Sequence, residues 1–472
     1  MTTELWRRGA ADLAEGIRTK QFSSREVVQA HLDRIAAVNR QVNAVTVVLG
    51  DSALEAADAA DRAVAMGLSL GPLHGVPFTV KDNIEMVGTA CTQGVAALKD
   101  ALPPVDAPQI AQLKAAGAIP IGRTNLPNFG LGWDTANSWR GATRNPWDPT
   151  RTPGGSCGGE AAAIATGMSP LGVGNDSGGS LRWPAQCCGI AGLRPTLGRV
   201  PAHAALARAE SSFGLQLFLA QGPLARHIRD LRLALASMSS MDVRDPWWVP
   251  TPLTGQGSPQ PRSRAAMVID PLGIGVDADV AAGIRSAADA LTSAGYAVEE
   301  IELPDVAETR RLWQYLLGAE MRILWAPAIR PLMDADARRS LDQYLAEVPE
   351  PDLPGYMNAL ATRNQHARRW NERFTRYDIV LGPVSTLQPF KVGFDSASGA
   401  NALQVEAALG LTLTCNRLGL PAVAVPVGVA HGLPQAVQII GARFEEWTCL
   451  DAAESIEAAL GTVTPIDPIP GL

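Results

Sequence analysis

Residues 153–184 read PGGSCGGEAAAIATGMSPLGVGNDSGGSLRWP, and this stretch carries the strongest structural signal in the chain. The alanine-rich run at 161–167 predicts a helix, and Leu171-Gly-Val-Gly174 predicts a strand. Glycines at both ends of these elements permit backbone conformations that other residues rarely adopt. The stretch therefore predicts a helix and a strand joined by tight turns, with Ser156 and Ser180 in the two glycine-rich turns.

Helices and strands alternate on both sides of this stretch. Ser23 and Glu26 have the spacing of a capping box, which predicts a helix start. The other predicted helices span 27–38, 53–66, 110–116, 278–294 and 446–460, and the other predicted strands span 76–81, 119–122, 266–270, 297–301, 378–381, 422–425 and 436–440. This alternation predicts the α/β class: a single domain with a large mixed β-sheet that is covered by helices on both faces.

Three parts of this single domain, residues 1–472, differ in composition. We interpret residues 1–70 as N-terminal helices and residues 71–201 as a glycine-rich core. Residues 305–376 are mainly helical in pattern and rich in Trp and Arg. We expect this last part to form a helical cover over a substrate pocket.

The bulk composition excludes several classes of protein. Hydrophobic residues make up 46% and charged residues 18% of 472 residues, which excludes wholesale disorder. The net charge is −7 and no block of Lys and Arg occurs, so we expect no nucleic-acid partner. The six cysteines form no CxxC pair, which argues against zinc and a disulfide framework. The N-terminus lacks a signal-peptide pattern and no apolar run reaches 18 residues, so we expect a cytoplasmic protein without membrane contact.

Lys81 ends an apolar strand within the segment GPLHGVPFTVKDN, residues 71–83. Burial at the edge of a sheet disfavours the charged form of a lysine, and a neutral lysine can act as a general base. A strand-end lysine can also be solvated or salt-bridged, and the segment alone does not separate these roles.

The two glycine-rich segments, 153–160 and 174–184, each suggest a backbone loop that binds an anion. Glycines precede Ser180 and a helix is expected to follow it. Successive backbone N–H groups in such a loop can form a nest that stabilises an oxyanion. A tight turn without a catalytic role is the alternative for each segment.

Two other nucleophiles come into question near Ser156. Residues 154–158 satisfy the G-x-S-x-G pattern of a nucleophile elbow, which requires a strand immediately before it. The preceding residues, NPWDPTRTP, are too proline-rich and polar for a core strand. A Cys157 thiolate would need an activating base, and neither glycine-rich segment contains a histidine, so a small buried thiol is the expected role.

The three segments, in this order, resemble the amidase signature family. The resemblance continues through GAIPIGRTN and NSWRGATRNPWDP, and near the C-terminus through YDIVLGPV and NRLGLPAVAVPVG. It covers nearly the whole chain and is densest between residues 71 and 201. It implies an amide hydrolase with a Ser–Ser–Lys triad that uses no metal and no cofactor.

The resemblance assigns a role to each residue of the triad. Ser180 is the nucleophile, Ser156 follows a cis peptide bond and bridges Ser180 to the lysine, and Lys81 is the final base. The resemblance also implies an oxyanion hole made by the backbone N–H groups of Ser177, Gly178, Gly179 and Ser180. Asp176 and Arg182 would brace that loop.

Three positions depart from the commonest family pattern. Cys157 replaces the second serine of a GGSSGG motif, and Asn175 and Ser177 each replace a frequent threonine. None of these positions belongs to the triad. Cys157 removes the hydroxyl that a second serine would use for a hydrogen bond.

The pocket prediction rests on the stretch LPNFGLGWDTANSW, residues 126–139, which lines the pocket in this family. The predicted pocket residues are Leu126, Phe129, Leu131, Trp133 and Trp183, with Trp313, Tyr315, Leu316 and Trp325 from the helical cover. These residues favour a bulky apolar or aromatic small molecule, although the tryptophans could instead be core residues. Family members with such pockets cleave aryl amides, anilides, hydrazides, carbamates or esters.

Two other functions stay open beside a free-standing amidase. One is the glutamine-hydrolysing amidase component of a tRNA-dependent amidotransferase, which would need partner subunits. The other is a non-catalytic scaffold of the same fold. A small-molecule substrate is the expected partner, and a homodimer is an assembly that the resemblance allows.

Overall fold

The structure is a computed structural model that describes residues 4–207, 209–253, 264–303 and 305–469. The strands of these residues are β1 (Val45–Val48), β2 (Pro77–Lys81), β3 (Ile119–Thr124), β4 (Ala136–Asn137), β5 (Gly141–Ala142), β6 (Leu171–Asp176), β7 (Ala191–Arg194), β8 (Ala220–Ala225), β9 (Arg264–Met267), β10 (Ala297–Glu300), β11 (Ile379–Pro383), β12 (Ala422–Ala430) and β13 (Leu433–Gly441). The ribbon β4–β5 is separate from the main sheet.

The main sheet has eleven strands in the order β1-β3-β2-β6-β8-β7-β12-β13-β11-β9-β10. β2 pairs in parallel with both β3 and β6, and β9 pairs in parallel with β10 and β11. The remaining neighbours are antiparallel. The sheet is therefore mixed, as the sequence predicts, and β2 and β6 bring residues 81 and 176 to the same edge because parallel strands end together.

Helices cover both faces of the sheet. They are α1 (Ala10–Arg18), α2 (Ser24–Val42), α3 (Gly50–Ala65), α4 (Pro108–Ala115), α5 (Gly158–Ala165), α6 (Arg182–Cys188), α7 (Phe213–Phe218), α8 (Ile228–Met238), α9 (Ala278–Ser293), α10 (Val306–Glu320), α11 (Ala326–Ile329), α12 (Ala335–Glu347), α13 (Leu353–Phe374), α14 (Phe394–Ala397), α15 (Gly399–Ala408), α16 (Gly410–Leu418) and α17 (Glu446–Leu460). Short 3-10 turns lie at Leu5–Arg7, Ala96–Leu98 and Asn128–Gly130, and a π turn at Met321–Trp325 joins α10 to α11. Among the described residues, no helix is both long enough and apolar enough to cross a membrane.

The alternation of side chains along β2 shows how the two faces differ. Phe78 and Val80 enter the core cluster that α1, α4, α8, α9 and α17 share. Successive side chains of a strand point to opposite faces, so Thr79 and Lys81 point to the face that α5 covers. The predicted α/β fold, with helices on both faces, is confirmed.

One local prediction agrees with the structure, and two strands differ from it. The capping box is present, because Glu26 N donates to Ser23 Oγ at 3.1 Å and Ser23 N donates to Glu26 Oε2 at 2.7 Å. The strand predicted at 266–270 lies instead at Arg264–Met267. The pattern does not predict β8, since AQGPLA contains a proline and polar residues, yet it lies next to β6. The division into 1–70, 71–201 and 305–376 stays a prediction, although 306–374 is largely helical.

Candidate active site

Lys81 is the last residue of β2 and its side chain is fully buried. Nζ donates hydrogen bonds to Ser156 Oγ at 2.7 Å and to Asn175 Oδ1 at 2.8 Å. Neither partner carries a charge. A solvated or salt-bridged role, which is common for a strand-end lysine, therefore does not describe Lys81.

The hydrogen-bond chain continues from Ser156 to Ser180. Ser156 Oγ donates to Ser180 Oγ at 3.0 Å. Lys81 is 0%, Ser156 2% and Ser180 9% exposed, so access to solvent increases along the chain. The structure thus brings the three predicted triad residues together and places Ser180 at the accessible end.

The backbone before Ser156 has no room for side chains. The Gly155–Ser156 peptide bond is cis. A Cβ added to Gly154, whose φ is +83°, would lie 2.5 Å from Pro184 Cα, and one added to Gly155 would lie 2.6 Å from the carbonyl oxygen of Gly132. Thr135 Oγ1 also donates to the carbonyl of Gly154 at 2.8 Å. The glycines of this segment are therefore required by close backbone packing.

The loop that carries Ser180 is organised around the carboxylate of Asp176. Arg182 Nε and Nη2 contact its two oxygens at 3.0 and 3.2 Å, and Asn416 Nδ2 donates to Oδ1 at 2.7 Å. The backbone N–H groups of Gly179 and Leu181 donate to the same carboxylate at 2.7 and 3.2 Å. Burial alone would raise the pKa of Asp176, but Arg182 and these hydrogen bonds hold it well below its usual value. Asp176 and Arg182 thus brace the loop from inside.

Two tryptophans hold the loop from the other side. Trp313 Nε1 donates to the carbonyl of Ser177 at 3.0 Å, and Trp133 Nε1 donates to that of Gly178 at 3.2 Å. In a trans peptide the N–H group points opposite to the C=O group, so the N–H of Gly178 points away from Trp313. Of the four predicted oxyanion-hole donors, the N–H of Gly179 is already engaged with Asp176.

A family model described as Amidase matches residues 26–450. The chain belongs to the amidase signature family. It is a hydrolase of amide bonds. The indoleacetamide hydrolase of Bradyrhizobium diazoefficiens is 43% identical to it over 463 residues, which cover 97% of this chain and 88% of the relative.

Two further relatives differ in their described activity. The A subunit of the glutamyl-tRNA(Gln) amidotransferase of Anaeromyxobacter dehalogenans is 34% identical to the chain, and the match covers 99% of each protein. The crystal structure of a bacterial aryl acylamidase matches the fold with a TM-score of 0.82, at 27% identity and over 96% of each chain.

The structure of this amidase argues against the two alternative nucleophiles, Ser156 in a nucleophile elbow and the thiol of Cys157. In the described backbone, no strand directly precedes Ser156, as a nucleophile elbow would require. Cys157 is buried, its Sγ donates to the carbonyl of Asn175 at 3.4 Å, and burial raises the pKa of its thiol despite the nearby Lys81. His74, in the lysine segment, contacts the carbonyl of Ala60 at 3.0 Å. Cys157 therefore has the environment of an inert core thiol.

Glu160 is a buried carboxyl group of α5 that sequence reasoning missed. Thr124 Oγ1 donates to its Oε1 at 2.8 Å, and Thr79 Oγ1 donates to its Oε2. Burial raises the pKa of Glu160 to about 7, although the two hydroxyl groups oppose this. The side chain ties α5, which begins directly after the Ser156 segment, to the strand that carries Lys81.

A cavity of about 960 Å³ has Ser156 and Ser180 in its wall. Its apolar wall includes Ile84, Phe129, Leu131, Leu197, Leu215 and Trp325, and its polar wall includes Asn83, Glu85, Gln93, Gln109, Asn175 and Gln221. The site can therefore take a substrate that is larger than its reacting amide group.

The predicted pocket residues divide into two groups. Phe129, Leu131 and Trp325 line the cavity. Of the described residues, Leu126, Trp133, Trp183, Trp313, Tyr315 and Leu316 do not line it. Trp183 is 1% exposed, stacks on Phe390 with ring centroids 5.8 Å apart, and donates from Nε1 to the carbonyl of Trp133. Part of the pocket prediction thus differs from the structure, and Trp133 and Trp313 instead donate hydrogen bonds to the loop that carries Ser180.

Asn83 and Asn175 are further site residues to which the sequence analysis assigned no role. Both line the cavity, and Asn175 Nδ2 donates to Asn83 Oδ1 at 3.1 Å. Asn83 stands two residues after Lys81, and Asn175 stands before Asp176 at a position where the family pattern varies. Each asparagine lies in a segment that also carries a predicted triad residue, and this was a possible signal. Only the parallel pairing of β2 with β6 shows that the two asparagines meet.

Proposed function

We propose that this amidase hydrolyses an amide of an aryl- or indolyl-acetic acid through an acyl-enzyme on Ser180. The observation that carries the proposal is the unbroken hydrogen-bond chain from Lys81 through Ser156 to Ser180, which ends at a cavity with both apolar and polar walls. The substrate class follows the indoleacetamide hydrolase that is 43% identical to this chain. The aromatic and aliphatic walls at Phe129, Leu131 and Trp325 are compatible with such an acyl group.

Acylation begins with transfer of a proton away from Ser180. Lys81 accepts the proton of Ser156 while Ser156 accepts that of Ser180, and Ser180 Oγ attacks the amide carbonyl. The distances of 2.7 and 3.0 Å lie within the reach of direct proton transfer. The buried lysine thus activates a hydroxyl group that would otherwise be a weak nucleophile.

The tetrahedral intermediate carries a negative oxygen that needs donors. We assign this role to the backbone N–H groups of Ser177, Gly178 and Ser180, since that of Gly179 already donates to Asp176. The carbonyl contacts of Trp313 and Trp133 fix the loop before the charge develops. Donors that are held in place in this way need no reorganisation during the reaction.

The proton then returns through Ser156 to the leaving nitrogen, because an amine leaves poorly unless it is protonated. The C–N bond breaks and the acyl group stays on Ser180. A water molecule attacks the ester, gives its proton to Ser156, and releases the acid together with free Ser180. In this scheme, Lys81, Ser156 and Ser180 carry out the proton transfers.

The homodimer and the cytoplasmic location stay predictions.

A second candidate is glutamine hydrolysis as part of an amidotransferase, which the 34% identity over 99% of the chain favours. The α-carboxylate of glutamine would call for a free cation in the cavity. Arg244 lines the cavity, but its Nη2 is paired with Asp242 Oδ2 at 2.6 Å. This pairing and the apolar wall favour the aryl-acetamide substrate.

The test is a panel of amides measured by release of ammonia or amine. We expect the purified protein alone to hydrolyse indole-3-acetamide and phenylacetamide with higher kcat/KM than glutamine, and Ser180→Ala to remove the activity. Ser396→Ala changes a serine outside the cavity wall and serves as the matched control. A preference for glutamine, or activity only with added partner subunits, would favour the second candidate.

A further inference from the structure

Trp325 forms part of the cavity wall and ends the π turn at Met321–Trp325. Its side chain is half-buried, and the indole Nε1 donates a hydrogen bond to Ser212 Oγ at 3.0 Å. Nε1 is the only polar atom of an indole ring, and it can only donate. Since Ser212 engages this atom, the part of the Trp325 side chain that remains for the cavity is apolar.

Ser212 connects Trp325 to the buried carboxylate of Glu320. Ser212 Oγ donates to Glu320 Oε2, and Glu320 is 3% exposed. A serine hydroxyl group has one proton, and a carboxylate only accepts hydrogen bonds. The proton of Ser212 therefore points to Glu320, and the oxygen of Ser212 turns a lone pair towards Trp325. Glu320 thus sets the direction of both hydrogen bonds.

The backbone at the start of α7 fixes Glu320 in turn. The N–H of Gly214 donates to Oε1 at 2.5 Å, and that of Leu215 donates to Oε2 at 3.2 Å. A Cβ added to Gly214 would lie 2.9 Å from each carboxylate oxygen, so this close approach requires glycine. Leu215 also lines the cavity. Glu320 therefore holds two parts of the same wall, Trp325 through Ser212 and Leu215 through the backbone.

The π turn brings Glu320 and Trp325 to the same side of the chain. The N–H of Ala326 donates to the carbonyl of Met321, five residues earlier. In an α-helix, residues five apart are separated by about 140° around the axis, because each turn takes 3.6 residues. The wider i→i+5 turn reduces this separation. Its geometry therefore matches the contact of one serine with both side chains.

We propose that Trp325 determines the preference of this amidase for aryl acyl groups, and that Glu320 is a positioning residue that sets the Trp325 ring through Ser212. The inference rests on the proposed function, in which a primary amide loses ammonia. The acyl group is then the only large part of the substrate, so its ring contacts the apolar wall. Attraction between aromatic rings depends on their mutual orientation. Trp325 must therefore keep one orientation to favour an aryl group.

The first experiment measures selectivity as the ratio of kcat/KM for phenylacetamide to kcat/KM for propionamide, a primary amide without a ring. Trp325→Leu should lower this ratio by about tenfold, mainly through a higher KM for phenylacetamide. Trp248→Leu is the matched control and should leave the ratio unchanged, because Trp248 Nε1 donates to the carbonyl of Ser239 outside the described cavity wall. An equal fall in kcat/KM for both amides would overturn the role of Trp325.

The same assay separates this inference from the proposed function. If the wild-type protein cleaves neither amide, the proposed function fails. If it cleaves phenylacetamide and Trp325→Leu keeps the wild-type ratio, the proposed function stands and the role of Trp325 is overturned.

The second experiment tests the link to the ring with Ser212→Ala and Glu320→Gln. Each should lower the selectivity ratio by about threefold or more, because the ring loses its oriented acceptor. In a Trp325→Leu background neither should lower the ratio further, since residues that act through one another are not additive. Ser237→Ala, which removes a half-buried hydroxyl contact in α8, is the control.

A role for Glu320 in folding alone predicts a different result. It would lower kcat/KM for phenylacetamide and propionamide alike, and its effect would add to that of Trp325→Leu. Either result, with Ser212→Ala or with Glu320→Gln, would overturn the positioning of the ring by Glu320.

Discussion

The segments that carry Ser180 and Ser156 are stabilised by different interactions. The serine loop, residues 176–182, is built around the buried ion pair of Asp176 with Arg182. The relay segment, residues 153–160, contains no such pair and is held by close glycine packing and by the hydroxyl contacts of Glu160. Each segment ends at the start of a short helix, α6 or α5.

The two segments also differ in the ionisation of their buried carboxyl groups. The pKa of Asp176 lies far below its usual value, so the serine loop keeps a permanent carboxylate. The pKa of Glu160 is raised to about 7, because it is buried without a cation in contact. A full negative charge near Lys81 would favour the charged form of the lysine, which cannot act as a base. Burial therefore reduces the fraction of Glu160 that carries this charge near neutral pH.

The largest expected effect separates the two serines themselves. Ser180→Ala removes the proposed nucleophile and should lower kcat by about a million-fold, the size seen when a nucleophile is removed from a triad. Ser156→Ala leaves the nucleophile in place, so residual acylation by activated esters should remain. Steady-state assays with an amide and a nitrophenyl ester check this, with circular dichroism to confirm folding. Equal residual activity for the two variants would contradict the different roles proposed for Ser180 and Ser156.

Lys81 joins the two segments through Ser156 and Asn175. Lys81→Ala should lower kcat/KM for an amide more than for a matched ester by about a hundredfold, within the range of general acid catalysis. The reason is that an alkoxide leaves with less proton assistance than an amine. Paired amide and ester kinetics provide the measurement. Equal losses on both would contradict the return of the proton through Ser156.

Arg182→Met tests the ion pair of the serine loop. The change leaves the carboxylate of Asp176 buried without its cation, which should lower the free energy of unfolding by about 3–5 kcal/mol. The double variant with Asp176→Asn should recover part of this loss. Arg25→Met removes an exposed pair with Asp58 and should change stability by less than about 1 kcal/mol in the same urea titration. A small effect of Arg182→Met would show that the pair does not hold the loop.

Glu160→Gln tests the raised pKa of the buried carboxyl group in the relay segment. The folded-state pKa of Glu160 is raised from 4.5 to about 7, so its contribution to stability is present at low pH and is lost as pH rises through 7. Between pH 5 and 8, wild-type protein should lose on the order of 2 kcal/mol relative to the Gln variant. Urea unfolding of both proteins across this range gives the difference. A wild-type protein that gains stability with pH relative to the variant would mean that Glu160 is ionised in the fold.

Cys157→Ser is expected to have the smallest effect. A hydroxyl group keeps the donor to the carbonyl of Asn175, so unfolding free energy should change by less than about 1 kcal/mol and kcat/KM by less than about threefold. Cys91→Ser is the matched control, because Cys91 is also buried and contacts a backbone carbonyl. Loss of activity in Cys157→Ser alone would give the thiol a role in the relay.

The sequence singles out Lys81, Ser156 and Ser180 because each lies in a short motif with its own backbone requirement, and the structure brings the three side chains together. Lys81 ends a strand, and Ser156 and Ser180 stand in glycine-rich turns before helices. The pocket is harder to predict, since Trp183 faces Phe390, which is far away in the chain. The link from Lys81 to Asn175 depends on the pairing of β2 with β6 and has no local pattern.

Reaction with a fluorophosphonate, followed by peptide mapping, tests the central claim most directly. The probe captures an activated serine without knowledge of the substrate. We predict a single label on Ser180, which disappears in Ser180→Ala and is slowed in Lys81→Ala. A label on Ser156, or no label on folded wild-type protein, would contradict the assignment of Ser180 as the nucleophile.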